Sequence, residues 1–305
     1  MRWLKVKRLC SFTGIPYAGN PAWVILEAAG LSDDFMTRLA GELNPLSDAA
    51  FVVPEESSEA DIGIRFFSSG GEVLFSGHAT VATYFALEGE GIVDFEEPEC
   101  KIRQKSKGGV QYVEVRAENG RVRRVTMKLP LPRYIEVDYS LPVLARMLGL
   151  TPAEISSSGV SPEAVSTGMY DLVVPVQSLN QLMDLKPDFN LMSRFCTRVG
   201  IVGIQVYTLE VNEGGMASVR HFAPALGVNE DPVSGAACGA LACYLLKNGI
   251  IEIQDFNRII IEQGYAIGRP GKVYVHIRLH RGAISEVKVG GQAVTTFVGS
   301  ILVPD

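Results

Sequence analysis

The sequence predicts an α+β fold of two related domains, each a curled, mostly antiparallel sheet around a central helix. Three observations predict it. First, the chain repeats itself. Ile64-Arg65-Phe66-Phe67, Gly77-His78-Ala79-Thr80 and an apolar run to Leu87 return as Val219-Arg220-His221-Phe222, Gly235-Ala236-Ala237 and an apolar run to Leu245. Second, the run Ala236 to Leu246 is apolar nearly all round, so its helix must be buried on most faces. Third, alternating segments follow each run, such as Val273-Tyr274-Val275-His276-Ile277-Arg278-Leu279, the pattern of a half-exposed strand. A sheet wrapped around one central helix per half satisfies all three.

The elements follow in order. Ala22 to Leu26 reads as a buried strand, and Ser32-Asp33-Asp34 caps a helix running to Leu43. Ala49 to Val53 and Ile62 to Phe67 are the next strands, separated by the turn-rich Pro54 to Glu59, and Gly77 opens the first central helix. Cys100 to Gln104, Gln111 to Arg116 and Arg123 to Lys128 alternate as strands, and Leu129-Pro130-Leu131-Pro132 reads as a hinge. The second half repeats the order: strand Leu172 to Val176, helix Phe189 to Val199, strands Ile204 to Thr208 and Ser218 to Phe222, then helix Ser234 to Lys247. Ile259 to Gln263, Val273 to Leu279 and Glu286 to Val289 complete it. The expected domains are residues 1–118 and 130–289, with a C-terminal strand in 290–305 available to the first. Arg65 and Arg220 stand 155 residues apart and Gly77 and Gly235 stand 158 apart. The second copy thus holds three extra residues, in the stretch around Glu230-Asp231-Pro232.

Composition narrows the function. With 305 residues, 47% hydrophobic and 20% charged, the chain can fill two domain cores. A net charge of −6 without a basic stripe argues against a nucleic-acid surface. The short basic clusters, Lys5-Val6-Lys7-Arg8 among them, read as solvated strand ends. The N-terminus does not read as a signal peptide, and no run is long enough for a membrane span. Five cysteines without metal-like spacing fit reduced thiols in a cytoplasmic protein. His276 and His280 sit on a strand, where i and i+4 side chains lie about 13 Å apart, so no metal is expected there. No P-loop, G-x-G-x-x-G or G-x-S-x-G pattern is present, which argues against nucleotide cofactors and hydrolase chemistry.

The candidate chemistry lies at the two helix openings. The first N–H groups of a helix have no intrahelical partner and favour anions. If both central helices aim at one cleft, Gly77-His78-Ala79 and Ser234-Gly235-Ala236 offer two carboxylate sites, with Gly19-Asn20-Pro21 as a third polar turn. His78 falls in the first turn of one helix and Asp231 just ahead of the other. Asp48 sits between Ser47 and an apolar strand, a setting that suits a carboxyl to proton exchange. The plain alternatives are a turn residue at Asp48, a helix cap at Asp231 and a satisfied core histidine at His78.

At these residues the chain resembles the phenazine-biosynthesis isomerase-like (PhzF-like) family, which shares the diaminopimelate-epimerase-type fold. The resemblance is carried by Phe12-Thr13 with Gly19-Asn20-Pro21-Ala22, Glu42-Leu43-Asn44 with Ser47-Asp48, and Arg65-Phe66-Phe67 with Phe75-Ser76-Gly77-His78-Ala79-Thr80. Thr167-Gly168, Arg220-His221-Phe222-Ala223-Pro224, Glu230-Asp231-Pro232-Val233-Ser234-Gly235-Ala236-Ala237, and Glu262-Gln263-Gly264 with Gly268-Arg269-Pro270 extend it over nearly the whole chain. It implies a cofactor-free homodimer with its site between the two domains. The implied reaction is proton transfer on a small carboxylate-bearing substrate, the type case being isomerisation of a dihydro-hydroxyanthranilate. The family's acid/base carboxylate follows Ser in Ser-Glu-Thr, which matches Asp48 here, and its supporting histidine and aspartate match His78 and Asp231.

The chain departs from that pattern in three places: Asp48 replaces glutamate, Ala49 replaces threonine, and Pro45 lengthens the loop before Ser47 by one residue. The shorter side chain withdraws the carboxylate by roughly 1.5 Å, a displacement worth about 100-fold in rate unless the longer loop restores it. The Glu-to-Asp change motivates one alternative, a non-catalytic small-molecule-binding or scaffold protein of the same fold. A second alternative is an amino-acid racemase with paired thiols, which needs a cysteine just before each helix. Ser76 and the Asp231-Pro232 stretch occupy those places, and Cys238 lies a turn inside.

Overall fold

The computed structural model describes residues 1–43, 47–55 and 57–303. Asn44 and the Pro45 extension lie outside them. The chain divides into two compact units, one from Met1–Lys128 with Gly290–Asp305 and the other Leu129–Val289.

In the first unit, β1 (Arg2–Ser11) pairs antiparallel with β2 (Asn20–Ile25) and with the C-terminal strand Ala293–Val303. After α1 (Asp33–Leu43) comes β3 (Ala49–Val53), parallel to β2, and then β4 (Ile62–Ser68), antiparallel to β3. A two-residue turn leads into β5 (Gly71–Val73), which pairs back onto β4 and runs into α2 (Gly77–Ala86). The meander β6 (Glu99–Ser106), β7 (Gly109–Glu118) and β8 (Arg121–Leu129) extends the sheet from β4. Strand alternation gives the sheet two apolar faces. Leu4, Val6, Ile25, Ala49, Phe51 and Phe67 pack with Met36 and Ala40 of α1. On α2, Ala79 to Tyr84 and Ala86 are buried, and the helix packs on β1, β2 and β3.

The reading of Lys5 to Arg8 as a solvated strand end is corrected here. Lys7 lies inside β1, 8% exposed. Its Nζ donates to Ala86 O at 2.6 Å and pairs with Glu90 at 2.8 Å. The aliphatic stem crosses the apolar layer and the ammonium meets the carbonyl end of α2, where a cation is favoured.

The second unit begins with β9 (Arg133–Ile135), α3 (Leu141–Leu148) and α4 (Pro152–Ser156). Next come β10 (Glu163–Ser166), β11 (Tyr170–Pro175), α5 (Leu179–Met183) and α6 (Phe189–Val199). β12 (Gly203–Thr208) lies parallel to β11 and antiparallel to β13 (Ala217–Ala223). β14 (Val228–Asp231) folds back onto β13 and leads into α7 (Gly235–Lys247). β15 (Phe256–Gln263), parallel to β13, pairs with β16 (Gly271–His280), and β17 (Ala283–Gly291) follows. One face of this sheet, with Leu172, Val174, Ile204, Val206 and Phe222, packs on α3, α5 and α6. The opposite face meets α7, as the edge-on contact of Tyr207 with Tyr244 shows.

The structure also moves the three-residue difference between the copies. Arg65 grips Glu72 through two bonds, 2.8 and 2.9 Å, and Arg220 grips Glu230 through two, 2.9 and 2.8 Å. The extra residues therefore fall before Glu230, in the turn Pro224–Leu226 and the irregular β13–β14 register. Glu230-Asp231-Pro232 is itself part of the repeat.

Candidate active site

In the first unit the sequence-predicted residues converge on His78. Gly77 opens α2 after Ser76, whose extended backbone marks the N-cap but whose side chain makes no capping bond. Instead Ser76 Oγ lies 3.4 Å from His78 Nδ1. Ser47 Oγ donates to Pro21 O at 2.9 Å and contacts His78 Nε2 at 2.8 Å. A hydroxyl has one proton to give, so Nε2 carries its own proton and donates to Ser47. The Ser11 hydroxyl donates to His78 O at 2.6 Å and fixes the backbone beneath the ring.

Asn20, 3% exposed, pairs with Ser11 in the β1–β2 ladder. Gly19 makes that approach possible: with φ +56°, a Cβ there would stand 2.2 Å from Ser11 O. Asp48, half-buried, follows Ser47 directly and precedes β3, and Ala79 is fully buried. Ser47, Gly19 and Asn20 are thus brought to the His78 turn, with Asp48 one residue from the contact.

In the second unit Asp231 ends β14, three residues before Ser234 caps α7 by accepting from Ala237 N at 3.3 Å. The expectation that Ser234 offers a free N–H is corrected: that group donates to Gln263 Oε1 at 3.1 Å. Gln263 Nε2 donates in turn to Asp231 O at 2.8 Å, so one buried amide ties the approach to the helix together. Gly235 is buried, and Ala236 O accepts from Thr167 Oγ1 at 2.8 Å.

Two residues to which the sequence assigned no role in the site, Asp171 and His221, complete this end. His221 Nε2 lies 3.0 Å from Asp171 Oδ1, and His221 Nδ1 lies 3.7 Å from Asp231 Oδ2. Gln205 Nε2 donates to Asp171 Oδ2 at 3.3 Å. Burial opposes a charge on His221, but Asp171 and then Asp231 outweigh it and raise its pKa to about 10. A sequence signal existed: His221 alternates with Phe222 and so falls on the α7-facing side of β13, an expensive place for an unpaired polar ring. Burial, with the Asp231 and Asp171 charges added, pushes the Cys238 thiol well above its usual range. A protonated, fully buried thiol is a poor base, which weighs against paired-thiol racemisation.

These features define a class first: an α+β protein of the epimerase-like fold, with a buried helix opening beside histidine and carboxylate side chains in each unit. A hydroxyproline epimerase from Agrobacterium vitis shares the fold, with TM-score 0.65 over 99% of this chain and 91% of its own, at 12% identity. The family model described as "Phenazine biosynthesis-like protein" matches residues 9–299, and the chain belongs to that family. An uncharacterized isomerase of Clostridium acetobutylicum is 30% identical over 296 residues, 96% of each chain. A trans-2,3-dihydro-3-hydroxyanthranilate isomerase of Pseudomonas chlororaphis is 29% identical, covering 96% of this chain and 97% of its own. A PhzF-family protein of Bacillus anthracis matches with TM-score 0.88 at 27% identity, over 99% of this chain and 100% of its own. Relatives named as isomerases support an isomerase-type function. No helix of the described residues is long and apolar enough to cross a membrane.

Proposed function

We propose that the protein is a cofactor-independent isomerase that moves a proton on a small carboxylate-bearing substrate, with Asp48 and Asp231 as its acid/base carboxylates and His78 as a supporting group. The observation that carries this is the 2.8 Å contact between Ser47 Oγ and His78 Nε2, which sets the residue beside Asp48 against the histidine of the α2 opening. The Asp48 carboxylate takes a proton from a substrate carbon, the freed electron pair shifts along the conjugated system, and the carboxyl, exchanging its proton with solvent, delivers a proton to another carbon. His78, held through both ring nitrogens by Ser47 and Ser76, fixes the turn that carries Asp48 beside the α2 opening. Asp231 is the second proton-handling carboxylate. The N–H groups opening α2, with Gly77 and Ala79, and those of Gly235 and Ala236 suit a substrate carboxylate.

The test is deuterium incorporation from heavy water into trans-2,3-dihydro-3-hydroxyanthranilate, used as the probe because a relative is named for it. Incorporation that falls at least about 100-fold in Asp48→Asn supports the proposal, since a general base contributes roughly 10²–10⁴-fold. Undiminished exchange in that variant overturns the role of Asp48. Exchange that disappears only with Cys238→Ser overturns the carboxylate mechanism.

A further inference from the structure

Three residues of the second unit, far apart in sequence, form one buried line. Asp171 starts on β11, His221 lies on β13, and β12 runs between them. They meet because the intervening position is Gly203. A Cβ there would stand 2.9 Å from Asp171 Oδ1, 3.1 Å from His221 Nε2 and 2.4 Å from Phe222 O. The missing side chain lets the carboxylate and the ring pass over the middle strand and touch. Opposite His221 in the β13–β14 pairing stands Asp231.

We infer that the Asp171–His221 pair is a positioning device for the Asp231 carboxylate, a role that rests on Asp231 being an acid/base group. Of the three side chains, Asp171 and His221 are 5% and 7% exposed, while Asp231 is 24% exposed and is the member a ligand can reach. With Nε2 committed to Asp171, the ring cannot turn without losing that bond, so Nδ1 faces Asp231 in a fixed direction. The two carboxylates keep the ring cationic, and across 3.7 Å its charge in turn attracts the exposed carboxylate without a hydrogen bond. The charged and polar groups around the ring are Asp171 on β11, Gln205 on β12, Asp231 on β14 and Cys238 on α7. Cys238 adds no charge, because its thiol stays protonated and lies 3.4 Å from Gln263 Oε1.

The strand pairing does not require charge at this position. In the first unit the pairing equivalent to His221 and Asp231 is Phe66 with Val73, both apolar. The same sheet geometry closes without charge there, and a buried ion pair is weak evidence for stability in any case. Charge at this one cross-strand pair, ending on a partly exposed carboxylate, points to use rather than to folding.

The test reads the ring and the reaction separately. In the full chain with ¹⁵N-labelled histidine, the His221 signals, assigned by their loss in His221→Gln, should show both ring nitrogens protonated at pH 8. Asp171→Asn should lower the midpoint of that titration by about one to three pH units, the usual effect of a carboxylate at contact distance. Asp231→Asn should lower it by less. In the deuterium-exchange assay, His221→Gln should reduce kcat by roughly 10- to 100-fold at little-changed KM, as misplacement of a catalytic group by about 1 Å does. A neutral ring at pH 8, a ring indifferent to Asp231→Asn, or a His221→Gln enzyme with unchanged kcat and pH profile overturns the inference. If His221→Gln does not fold, the signals are assigned by elimination through replacement of His78, His276 and His280 in turn, and the titration in the wild type and in Asp231→Asn still decides. Absence of exchange by the wild type on this probe counts against the proposed function alone, and the ring titration then stands as the test here.

Discussion

The two copies of the strand, turn and helix share a frame and differ in what they place on it. In both, an arginine grips a glutamate through two bonds and lies 5.0 Å over a phenylalanine ring, Arg65 over Phe67 and Arg220 over Phe222. In both, a serine precedes a buried helix opened by glycine. The differences fall one residue away. Phe66 faces Val73 in the first copy, where His221 faces Asp231 in the second. Ala49 pairs with Phe67 as Ile204 pairs with Phe222, so Asp48 holds the place that Gly203 holds in the other copy. One copy puts its carboxylate on that strand entry. The other leaves the position bare and brings Asp171 and His221 over it. Packing and the arginine–glutamate grip set the frame; the positions that depart from the repeat are where the chemistry is proposed.

The largest expected effect tests the functional side of that contrast. Asp231→Asn should cut turnover of a competent substrate by roughly 10²–10⁴-fold while Val73→Ala, its counterpart in the first copy, leaves kcat within about 3-fold, since the loss of a half-buried methyl pair acts on stability. Equal losses in the two variants would break the comparison. Next in size, Gly203→Ala should destabilise the protein by about 1–3 kcal/mol or more in urea unfolding, because the added methyl meets backbone Phe222 O as well as the Asp171–His221 contact. A neutral effect would mean that the line can form without the gap.

The pH dependence is subtler. His221 has a folded pKa raised from 6.5 to about 10, so the folded protein binds more protons than the unfolded chain between those values. Its contribution to stability is fully present below about pH 6.5 and is lost as pH rises toward about 10. Unfolding free energy should therefore fall across that window, and Asp171→Asn should flatten the fall. A profile identical in wild type and variant would sink the charged-ring account. The smallest effect separates the two helix caps. Ser234→Ala removes a capping bond and should cost about 1 kcal/mol. Ser76→Ala should cost less than about 0.5 kcal/mol in stability, because its 3.4 Å contact with His78 is of marginal length and contributes little, and its effect should appear instead in turnover through His78.

Much of this was legible in the chain. The helix Phe189–Val199 reads from its apolar stripe, with Asp188 ahead of it accepting from Leu191 N and Gly200 closing it in a left-handed turn. The strand Ala49–Val53 reads from its unbroken apolar run. The shorter α3 did not register, because eight residues give too few turns for a periodic signal, although Ser140 and Gly149 mark its ends. Ser47, His78 and the Gly19 turn could be named in advance because each sits at a local junction. The Asp171–His221 contact could not, since nothing in a linear pattern says which residues two strands away will meet over a glycine.

The sequence by itself determined the repeat, the two buried helices and the alternating strands, because these rest on periodicity and turn chemistry within a few residues. It also determined the candidate residues at each helix opening. Only the tertiary structure decided where the extra residues of the second copy lie, that Lys7 is inside the sheet, and that Asp231 stands at the end of a buried charged line. Those outcomes depend on strand register and on one bare Cα in the middle strand. Register is set by the packing of the whole sheet, so it is a property of the folded unit rather than of any short stretch of chain.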